Sequence, residues 1–408
     1  MKLDKNMVAA LLAFGGGKGG GVVPSGTLSI VSNGTYDVGA FAEASVLVPA
    51  SAVDVGTKSI SENGTHDVVG FANVDVNVAG VSNEDGIINR TISGAYTNGT
   101  VAKIGSYAFY NCASITAVSL SVCTKIDDHA FYSCSSLATV LAPACTSIGS
   151  QAFNSCKALT TVSFPACTYI GDNAFYWCIN LSVASFPSCT NMGAAVFPQC
   201  SNLTEASFPV CQSIGNSTFY SCKKLTAVYL PSCTRIGNSA FESCNNLPAV
   251  SFPVCTTIGI NAFINCVKLA TAYFPECVSL GSKAFYRAAS LTTITLTKCP
   301  AIGSLTFSSC WNLAAISLPN CSIIYSQAFF DCQRLLSLYL LGSSICQLNN
   351  ANVFGWTPIS NSTAATGGVY GSIFVPASLY SIYIASTNWV TFSARFVSLT
   401  DEQIAALG

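Results

Sequence analysis

Cysteine is the residue type best able to do chemistry in this chain, with 21 copies among 408 residues. Thiolates can form disulfides, bind metals or act as nucleophiles. All but Cys346 fall into two series with a 22-residue spacing, and Ala288 fills the one gap in the first. The first series is Cys112, Cys134, Cys156, Cys178, Cys200, Cys222, Cys244, Cys266, Cys310 and Cys332. The second is Cys123, Cys145, Cys167, Cys189, Cys211, Cys233, Cys255, Cys277, Cys299 and Cys321.

This spacing predicts that equivalent cysteines stack on one another in successive coils of a repeat, about 5 Å apart, as in paired strands. Parallel side chains suit packing better than bridging, because disulfide geometry needs the two side chains to converge. Ala288 fits the same demand for a small apolar residue. We therefore predict buried, reduced cysteines, which favour an intracellular, anaerobic or particle-enclosed history. We predict no metal site, since the cysteines form no Cys-x-x-Cys pair and have no histidine partner.

No other group of residues predicts catalysis. The histidines are His66 and His129, and His129 follows Asp127 and Asp128. A lone Asp-Asp-His trio in an exposed turn rarely binds a metal. The run Gly15–Gly21 lacks the Gly-Lys-Ser/Thr ending of a phosphate loop. There is no Gly-x-Ser-x-Gly nucleophile motif and no recurring carboxylate pair. The sequence therefore predicts neither an enzyme nor a cofactor.

The charge content excludes several kinds of partner. Charged residues make up 9% of the chain, and 17 basic against 18 acidic residues give a net charge of −1. Globular domains have about 25%, so Ser, Thr, Asn and Gly must supply most of the polar surface here. The absence of a basic cluster argues against nucleic acid and anionic membrane surfaces as partners. No apolar run approaches the ~18 residues that span a bilayer, so we predict no membrane insertion.

The elements that position these residues come from one repeat. The segment Ile148–Tyr169 is 22 residues long, and Ile170 begins the pattern again. A short fixed period is typical of a solenoid. Eleven coils begin at Ile104, Ile126, Ile148, Ile170, Met192, Ile214, Ile236, Ile258, Leu280, Ile302 and Ile324.

Each coil contains a predicted strand and a predicted turn. Val162 and Phe164 are two apart and so lie on one face of a strand, which Pro165 ends because it lacks an N–H group. Gly149 allows the turn. From Ala152 onwards, apolar residues at three-residue spacing suit a short helix or 3₁₀ turn.

The non-repeating ends complete a division into five segments. We predict an N-terminal helix with a Gly-rich tether in residues 1–25, two 30-residue β modules in 26–80, and an N-terminal cap in 81–103. The solenoid occupies 104–345, and a C-terminal cap occupies 346–408. Asn33-Gly34 and Asn63-Gly64 predict a hairpin in each module. In the C-terminal cap, Phe374–Leu379 predicts a strand leading into a helix, and Thr400-x-x-Gln403 predicts a capping box.

The recurring pattern Leu159-x-x-Val162-x-Phe164-Pro165-x-Cys167-x-x-Ile170-Gly171-x-x-Ala174-Phe175-x-x-Cys178 resembles the BspA-like leucine-rich repeat. The resemblance covers residues 104 to about 345. It implies a right-handed array with a parallel sheet on its concave side and short helical turns opposite. It also implies a surface or extracellular interaction protein, often an adhesin, rather than an enzyme. The Gly-rich start, the Asn-Gly-Thr modules and the C-terminal tail resemble phage structural proteins of gut bacteria.

Positions that differ between copies predict where a partner would bind. The exposed strand position carries Tyr229, Tyr273 and Tyr339, where other coils mostly have small hydroxyl residues. The turn position after the repeated Phe, with its neighbour, carries Tyr176, Trp177, Tyr220 and Tyr286, and Trp311 lies nearby. Exposed aromatic residues beside short polar ones are typical of interaction surfaces. The alternative is that the turn tyrosines only pack along the coil edge.

These observations favour a non-enzymatic attachment protein. The first hypothesis is a phage virion component that binds a host cell-surface protein or glycan through the solenoid and contacts virion proteins through its N-terminal segment. The alternative is a BspA-like bacterial cell-surface adhesin that binds proteins or host matrix. The expected location is the virion, the cell surface or the extracellular space. The oligomeric state is open, with a homo-oligomer among the alternatives.

Overall fold

The computed structural model describes residues 93–360 and 370–407 fully, together with the backbone of six short N-terminal strands. Those strands are Gly26–Ser29, Thr35–Asp37, Ala44–Leu47, Thr57–Ile60, Thr65–Asp67 and Asn73–Val76. The predicted N-terminal helix and Gly-rich tether, and both Asn-Gly turns, lie outside the described residues.

The two N-terminal modules pair their strands in a way that differs from the predicted hairpins. Gly26–Ser29 pairs in parallel with Ala44–Leu47, and Thr57–Ile60 pairs in the same way with Asn73–Val76. The central strand of the first module, Thr35–Asp37, pairs antiparallel with its counterpart in the second, so that Tyr36 lies opposite His66. The two central strands therefore form a sheet between the modules. In neither module does a central strand pair with the strand that precedes it in the sequence.

From residue 94 onwards the chain forms two rows of parallel strands. The first row has fourteen strands: Gly94–Asn98, Ile115–Leu120, Thr139–Leu141, Thr161–Ser163, Val183–Ser185, Glu205–Ser207, Ala227–Tyr229, Ala249–Ser251, Thr271–Tyr273, Thr293–Thr295, Ala315–Ser317, Ser337–Tyr339, Ser372–Pro376 and Phe396–Leu399. The second row has twelve: Lys103–Ile104, Lys125–Ile126, Ser147–Ile148, Tyr169–Ile170, Asn191–Met192, Ser213–Ile214, Arg235–Ile236, Thr257–Ile258, Ser279–Leu280, Ala301–Ile302, Ile323–Ile324 and Gln347–Leu348.

The predicted fold, a parallel β-solenoid of stacked 22-residue coils, is confirmed. Val140 lies opposite Val118 on one side and Val162 on the other, which is the 22-residue register. The stack is longer than the eleven predicted coils because the chain ends add strands to the first row. Gly94–Asn98 covers one end, and Ser372–Pro376 and Phe396–Leu399 extend the other.

The core is organised around one continuous stack of phenylalanine rings. Neighbouring ring centroids are 4.9 to 5.7 Å apart, and their planes differ by 2 to 14°. The rings are Phe109, Phe131, Phe153, Phe175, Phe197, Phe219, Phe241, Phe263, Phe285, Phe307, Phe329 and Phe354. Full burial of one such side chain contributes about 1.5–3 kcal/mol. Tilted rings end the stack, with Tyr96 at 58° to Phe109 and Phe392 at 85° to Phe354.

The segments opposite the strands are successive turns with hydrogen bonds between residues three apart, such as Cys156 N–H to the Phe153 carbonyl (3.2 Å), so of the predicted short helix or 3₁₀ turn it is the turn that forms. Each coil has two non-glycine residues in the left-handed region, such as Gln151 (φ 55°) and Ser155 (φ 62°). Such residues cost roughly 1–2 kcal/mol each. Their N–H groups donate across to the next coil, to the carbonyls of Asp172 (2.8 Å) and Tyr176 (2.7 Å). Hydrogen bonds between coils therefore offset the cost, and the three-residue apolar spacing fits these successive turns as well as it fits a helix.

The repeated glycine is required by the neighbouring coil rather than by the turn conformation we predicted. A Cβ atom added to Gly237 would lie 2.6 Å from the backbone of Asn216 and of Gly215 in the preceding coil. Gly105 occupies the same position in the first coil, and a Cβ there would meet nothing within 4 Å. Close stacking thus leaves no room for a side chain at Gly237, whereas coils nearer the two ends carry Asp127 and Tyr325 at the equivalent position.

All 21 cysteines are buried free thiols, as the stacking argument predicts. Thiols of the first series donate to the phenylalanine carbonyl of the preceding coil, as Cys200 does to Phe175 (3.2 Å). Thiols of the second series donate to the carbonyl of the residue two positions later in the same coil, as Cys167 does to Tyr169 (3.2 Å). Cys346 joins the second series, with its sulfur 3.6 Å from that of Cys321. A 25-residue spacing conceals this relation in the sequence.

The C-terminal cap is fixed by hydrogen bonds to the last coil. Trp389 Nε1 donates to the carbonyl of Cys346 (2.6 Å), and the Cys346 N–H donates to the Tyr383 hydroxyl (2.8 Å). The predicted strand and helix are present as Ser372–Pro376 and Tyr380–Ala385, linked by the 3₁₀ helix Ala377–Leu379. Further 3₁₀ helices are Ala351–Phe354 and Val390–Arg395, and the last helix is Asp401–Ala405. Its predicted capping box is confirmed.

Candidate recognition surface

The first row of strands presents a surface that we call the strand face, made by the first and third residues of each three-residue strand. These residues are exposed or half-exposed, whereas the middle residue points inward, as in Val183–Ser185. The first positions are Ala117, Thr139, Thr161, Val183, Glu205, Ala227, Ala249, Thr271, Thr293, Ala315 and Ser337. The third positions are Ser119, Leu141, Ser163, Ser185, Ser207, Tyr229, Ser251, Tyr273, Thr295, Ser317 and Tyr339. Glu205 is the one charged residue among these first and third strand positions.

Two of the predicted site residues, Tyr229 and Tyr273, lie near one place on the strand face. An open depression of about 440 Å³ lies there, lined by residues 227–228, 249–251, 271–273, 293 and 295 of four neighbouring strands. Tyr273 lines it, and Tyr229 follows directly on the lining residue Val228. Tyr273 is 46% exposed and Tyr229 is 58% exposed, so both rings are available to a partner.

A proline, which sequence reasoning missed, explains why the sheet opens here. The ladder of the first row is interrupted between Ala227–Tyr229 and Ala249–Ser251. In the preceding coil, the N–H of Thr226 donates to the carbonyl of Thr204 (2.9 Å). Pro248 occupies the equivalent position and has no N–H to donate. A comparison of the coils at this position would have revealed the proline, because no other coil has one there. Two further interruptions of the row have Ser182 and Ala314 rather than a proline at this position, and we have no physical account of them.

Tyr339, the third predicted strand tyrosine, belongs to a different environment. It is half-buried, and its ring stacks on Phe374 of the cap strand at 4.6 Å and 12°. Phe374 lies directly opposite in the parallel register. One face of Tyr339 is therefore occupied by the protein itself, and the residue does not line the depression.

The predicted turn residues are not brought to the depression. Tyr176, Tyr220 and Tyr286 are half-buried in the turns, which agrees with the alternative that they pack along the coil edge. Tyr176 stacks on Trp177 at 5.8 Å and 25°. Tyr286 lies beneath the Arg287 guanidinium at 5.3 Å.

The two turn tryptophans are exposed but already have partners. Trp177 is 44% exposed, and the Lys157 ammonium lies 5.7 Å from its ring centre. Trp311 is 46% exposed, and its Nε1 donates to the Asp331 carboxylate at 2.8 Å. A partner that bound either ring would have to compete with these contacts.

The hydroxyls on the strand face differ from those at the position just before each strand. Thr226 and Thr292 donate their hydroxyls to carbonyls of the preceding coil, at 3.1 and 3.0 Å. Ser251, Thr271 and Thr293 line the depression, and their hydroxyls have no hydrogen-bond partner within the described residues. These groups can therefore bind a ligand without breaking a contact inside the protein.

The Asp-Asp-His trio is engaged in local contacts. Asp127 pairs with Lys103 (2.6 Å) and Lys125 (3.0 Å). Burial alone would raise the pKa of this carboxyl, but the hydrogen bonds from both lysines outweigh it and lower the pKa. Asp128 accepts from the Ser150 N–H at 2.7 Å, and the His129 ring stacks on Tyr107 at 4.7 Å. Within residues 93–360 and 370–407, no three Cys, His, Asp or Glu side chains are grouped to hold a metal.

Most of the buried thiols are poor nucleophiles. In the pairs Cys189–Cys211 and Cys277–Cys299, a hydrogen bond between the thiols raises the pKa of the first and lowers that of the second. Desolvation raises the pKa of Cys255 to about 11 and that of Cys145 to about 12. A thiol with so high a pKa stays protonated at neutral pH, and the thiolate is the reactive form. The two cysteine series therefore act in packing rather than in chemistry.

The repeat family is shown by comparison with known families. The model for the BspA type leucine rich repeat region (6 copies) matches residues 102–226 and 212–336. These matches cover more than half of the chain, so the chain belongs to the BspA-type leucine-rich-repeat family. No curated protein matches it.

Several solved structures are similar to the chain. A leucine rich cell surface protein from Faecalibacterium prausnitzii is 22% identical, with a TM-score of 0.40, over 74% of this chain and 90% of its own. A leucine-rich repeat protein from Bacteroides ovatus is 18% identical, with a TM-score of 0.39, over 78% and 97%. A leucine rich repeat protein from T. pallidum is 30% identical, with a TM-score of 0.37, over 38% and 78%.

Every helix in the described part of the chain is too short or too polar to cross a lipid bilayer.

Proposed function

We propose that this chain is a non-enzymatic attachment protein that recognises a partner on a cell surface through the strand face. The observation that carries the proposal is the depression with Tyr229 and Tyr273 on a face whose other third positions are mostly Ser and Thr. Exposed, preformed aromatic side chains provide binding energy with little loss of side-chain freedom. Membership of the BspA-type family, for which surface attachment is the expected role, supports the same function.

The lining of the depression supports binding rather than catalysis. Apart from the Tyr273 phenol, it contains no carboxylate, imidazole, amine or thiol group. Those groups perform most general acid–base and nucleophilic catalysis. The surface therefore offers shape, aromatic faces and hydroxyls, which suit recognition.

Cell binding tests the proposal. The full chain, fluorescently labelled, is applied to bacterial cells and to epithelial cells with their secreted matrix, and binding is measured by flow cytometry. We expect saturable binding to one of these surfaces, competed by unlabelled protein. Replacement of both Tyr229 and Tyr273 by alanine should abolish it.

Tyr169→Ala is the matched control. Tyr169 is a 45% exposed tyrosine in the second row of strands, away from the depression. This variant should bind as the unaltered protein does. Absence of saturable binding, or full binding by the double variant, contradicts the proposal.

A second candidate places the same attachment function on a phage particle. It rests on the resemblance of the Gly-rich start, the two Asn-Gly-Thr copies and the C-terminal tail to phage structural proteins. In this version residues 1–25 contact virion proteins, residues 26–80 act as a spacer, and the capped solenoid from residue 81 to 408 faces the host. Mass spectrometry of purified phage particles and of bacterial envelope fractions separates the two settings. Detection only in the envelope excludes the virion version.

A further inference from the structure

We propose that the depression beside Tyr229 and Tyr273 binds an uncharged, extended oligosaccharide that lies across successive strands. This inference rests on the proposed attachment function and names the class of partner. Its starting point is the pairing of two exposed tyrosine rings with free hydroxyls on a surface that carries almost no charge.

The tyrosine spacing suits a chain-like ligand. Tyr273 is in register with Ser251 on the neighbouring strand, and Tyr229 holds the same position one strand further along. Paired strands are about 4.8 Å apart, and the ladder is interrupted on the Tyr229 side of Ser251, so the two rings are separated by at least about 10 Å along the stack. A sugar ring places its C–H groups against the negative face of an aromatic ring. Two rings at this separation can contact alternate sugars of one extended chain.

The hydroxyls supply the complementary polar contacts. Ser251, Thr271, Thr293 and Thr295 line the depression, and none of their hydroxyls has a hydrogen-bond partner within the described residues. A hydroxyl both donates and accepts, which matches the hydroxyl groups of a sugar. The middle residues Val228, Val250 and Ala272 give the depression an apolar floor. Apolar floors with a few free polar groups are typical of small-ligand sites.

The lack of charge decides which saccharide fits. No acidic or basic side chain lines the depression, and Glu205 is the single charged residue of the strand face. An acidic polysaccharide would find no cation to pair with and would be repelled by Glu205. Tyr339 is the other tyrosine at the third strand position, and Phe374 covers one face of its ring. The proposed sugar site is therefore confined to the region of Tyr229 and Tyr273.

Calorimetric titration of the full chain with defined oligosaccharides tests the inference. The probes are neutral hexasaccharides of β-linked glucose, of mannose and of N-acetylglucosamine, with oligogalacturonate and heparin fragments as acidic comparators. We expect a neutral hexasaccharide to bind and the acidic ones not to bind. Tyr229→Ala and Tyr273→Ala should each weaken binding about 5- to 10-fold, while Tyr169→Ala leaves it unchanged. Circular dichroism of each variant confirms that it is folded. No binding by any neutral probe, or binding unaffected by the two substitutions, overturns the inference.

A cell-based measurement separates this inference from the proposed function. Target cells are treated with periodate, which cleaves sugar diols, or with protease, before the labelled chain is added. Loss of binding after periodate supports the oligosaccharide. Loss after protease alone overturns it while leaving the attachment function standing. Binding of a neutral hexasaccharide without binding to any cell supports the inference and contradicts the attachment function.

Discussion

At the scale of the residue, the repeated cysteine is explained by a carbonyl acceptor as well as by volume. Phe175 O accepts from the Cys200 thiol at 3.2 Å, and it also accepts from the Cys178 N–H at 3.2 Å within its own coil. A carbonyl has two lone pairs, so both contacts can be made together. A serine at this position would therefore find an acceptor in the structure, which the sequence alone does not reveal.

Cys200→Ala should lower the free energy of unfolding by about 1–2 kcal/mol, because it leaves a small cavity. Cys200→Ser should cost about the same or less, since its hydroxyl can donate to Phe175 O. Cys200→Asp should cost far more, because a carboxylate would be desolvated there. Urea unfolding followed by circular dichroism measures all three. A serine variant much less stable than the alanine variant contradicts the assigned hydrogen bond.

The raised pKa values of the thiols predict loss of stability in alkaline solution. Desolvation raises the pKa of Cys255 from 9.0 to about 11, so the folded chain holds its proton where the unfolded chain releases it. This contribution is complete below pH 9 and is lost as pH rises from 9 towards 11. Each such thiol costs about 1.4 kcal/mol by pH 10. Several together match the ~5–15 kcal/mol of a typical fold.

Urea midpoints measured at intervals between pH 7 and pH 10.5 under reducing conditions test this expectation. The midpoint should stay level to about pH 8.5 and then fall steeply. A variant with Cys145→Ala and Cys167→Ala should show a shallower fall, because two titrating groups are gone. A midpoint that does not change between pH 8 and pH 10 would count against neutral buried thiols.

At the scale of the element, the turn glycine is the position where neighbouring coils approach most closely. Gly237→Ala should destabilise the array by about 1–3 kcal/mol, because the added methyl group overlaps the backbone of the preceding coil. Gly105→Ala is the matched control, since its methyl group would meet nothing within 4 Å. Thermal unfolding by circular dichroism compares them. Equal melting temperatures for the two variants would show that coil contact does not set the glycine requirement.

The strands could be predicted from the sequence, whereas the conformation of the turns could not. Alternation around Val162 and the stop at Pro165 identify the strands, because both depend on the residue's own chemistry. Some of the left-handed turn residues, such as Asn173 and Asn261, are of a type that favours that conformation, but others, such as Lys283 and Leu305, are not. Hydrogen bonds to the next coil impose it, and the sequence of one coil does not display them.

At the scale of the whole molecule, the period predicts the solenoid, and the non-repeating ends decide where it stops. Gly94–Asn98 and the cap strands extend the first row to fourteen strands, although none of them follows the 22-residue pattern. For the candidate site, the exposed position of Tyr229 and Tyr273 follows from the repeat. The position of the depression does not follow from the repeat, because the sheet opens at Pro248, a single departure from the repeat.

The phenylalanine stack and the bonds between coils also have a mechanical consequence. Each coil holds the next by nearly the same contacts, so a pull on the two chain ends should peel coils one at a time. Each step would release 22 residues, or about 75 Å of extended chain. Optical-tweezers extension of the full chain should therefore show evenly spaced steps, and one all-at-once rupture would contradict it. A protein anchored at one end and bound to a surface at the other would then yield gradually under flow, dissipating force coil by coil.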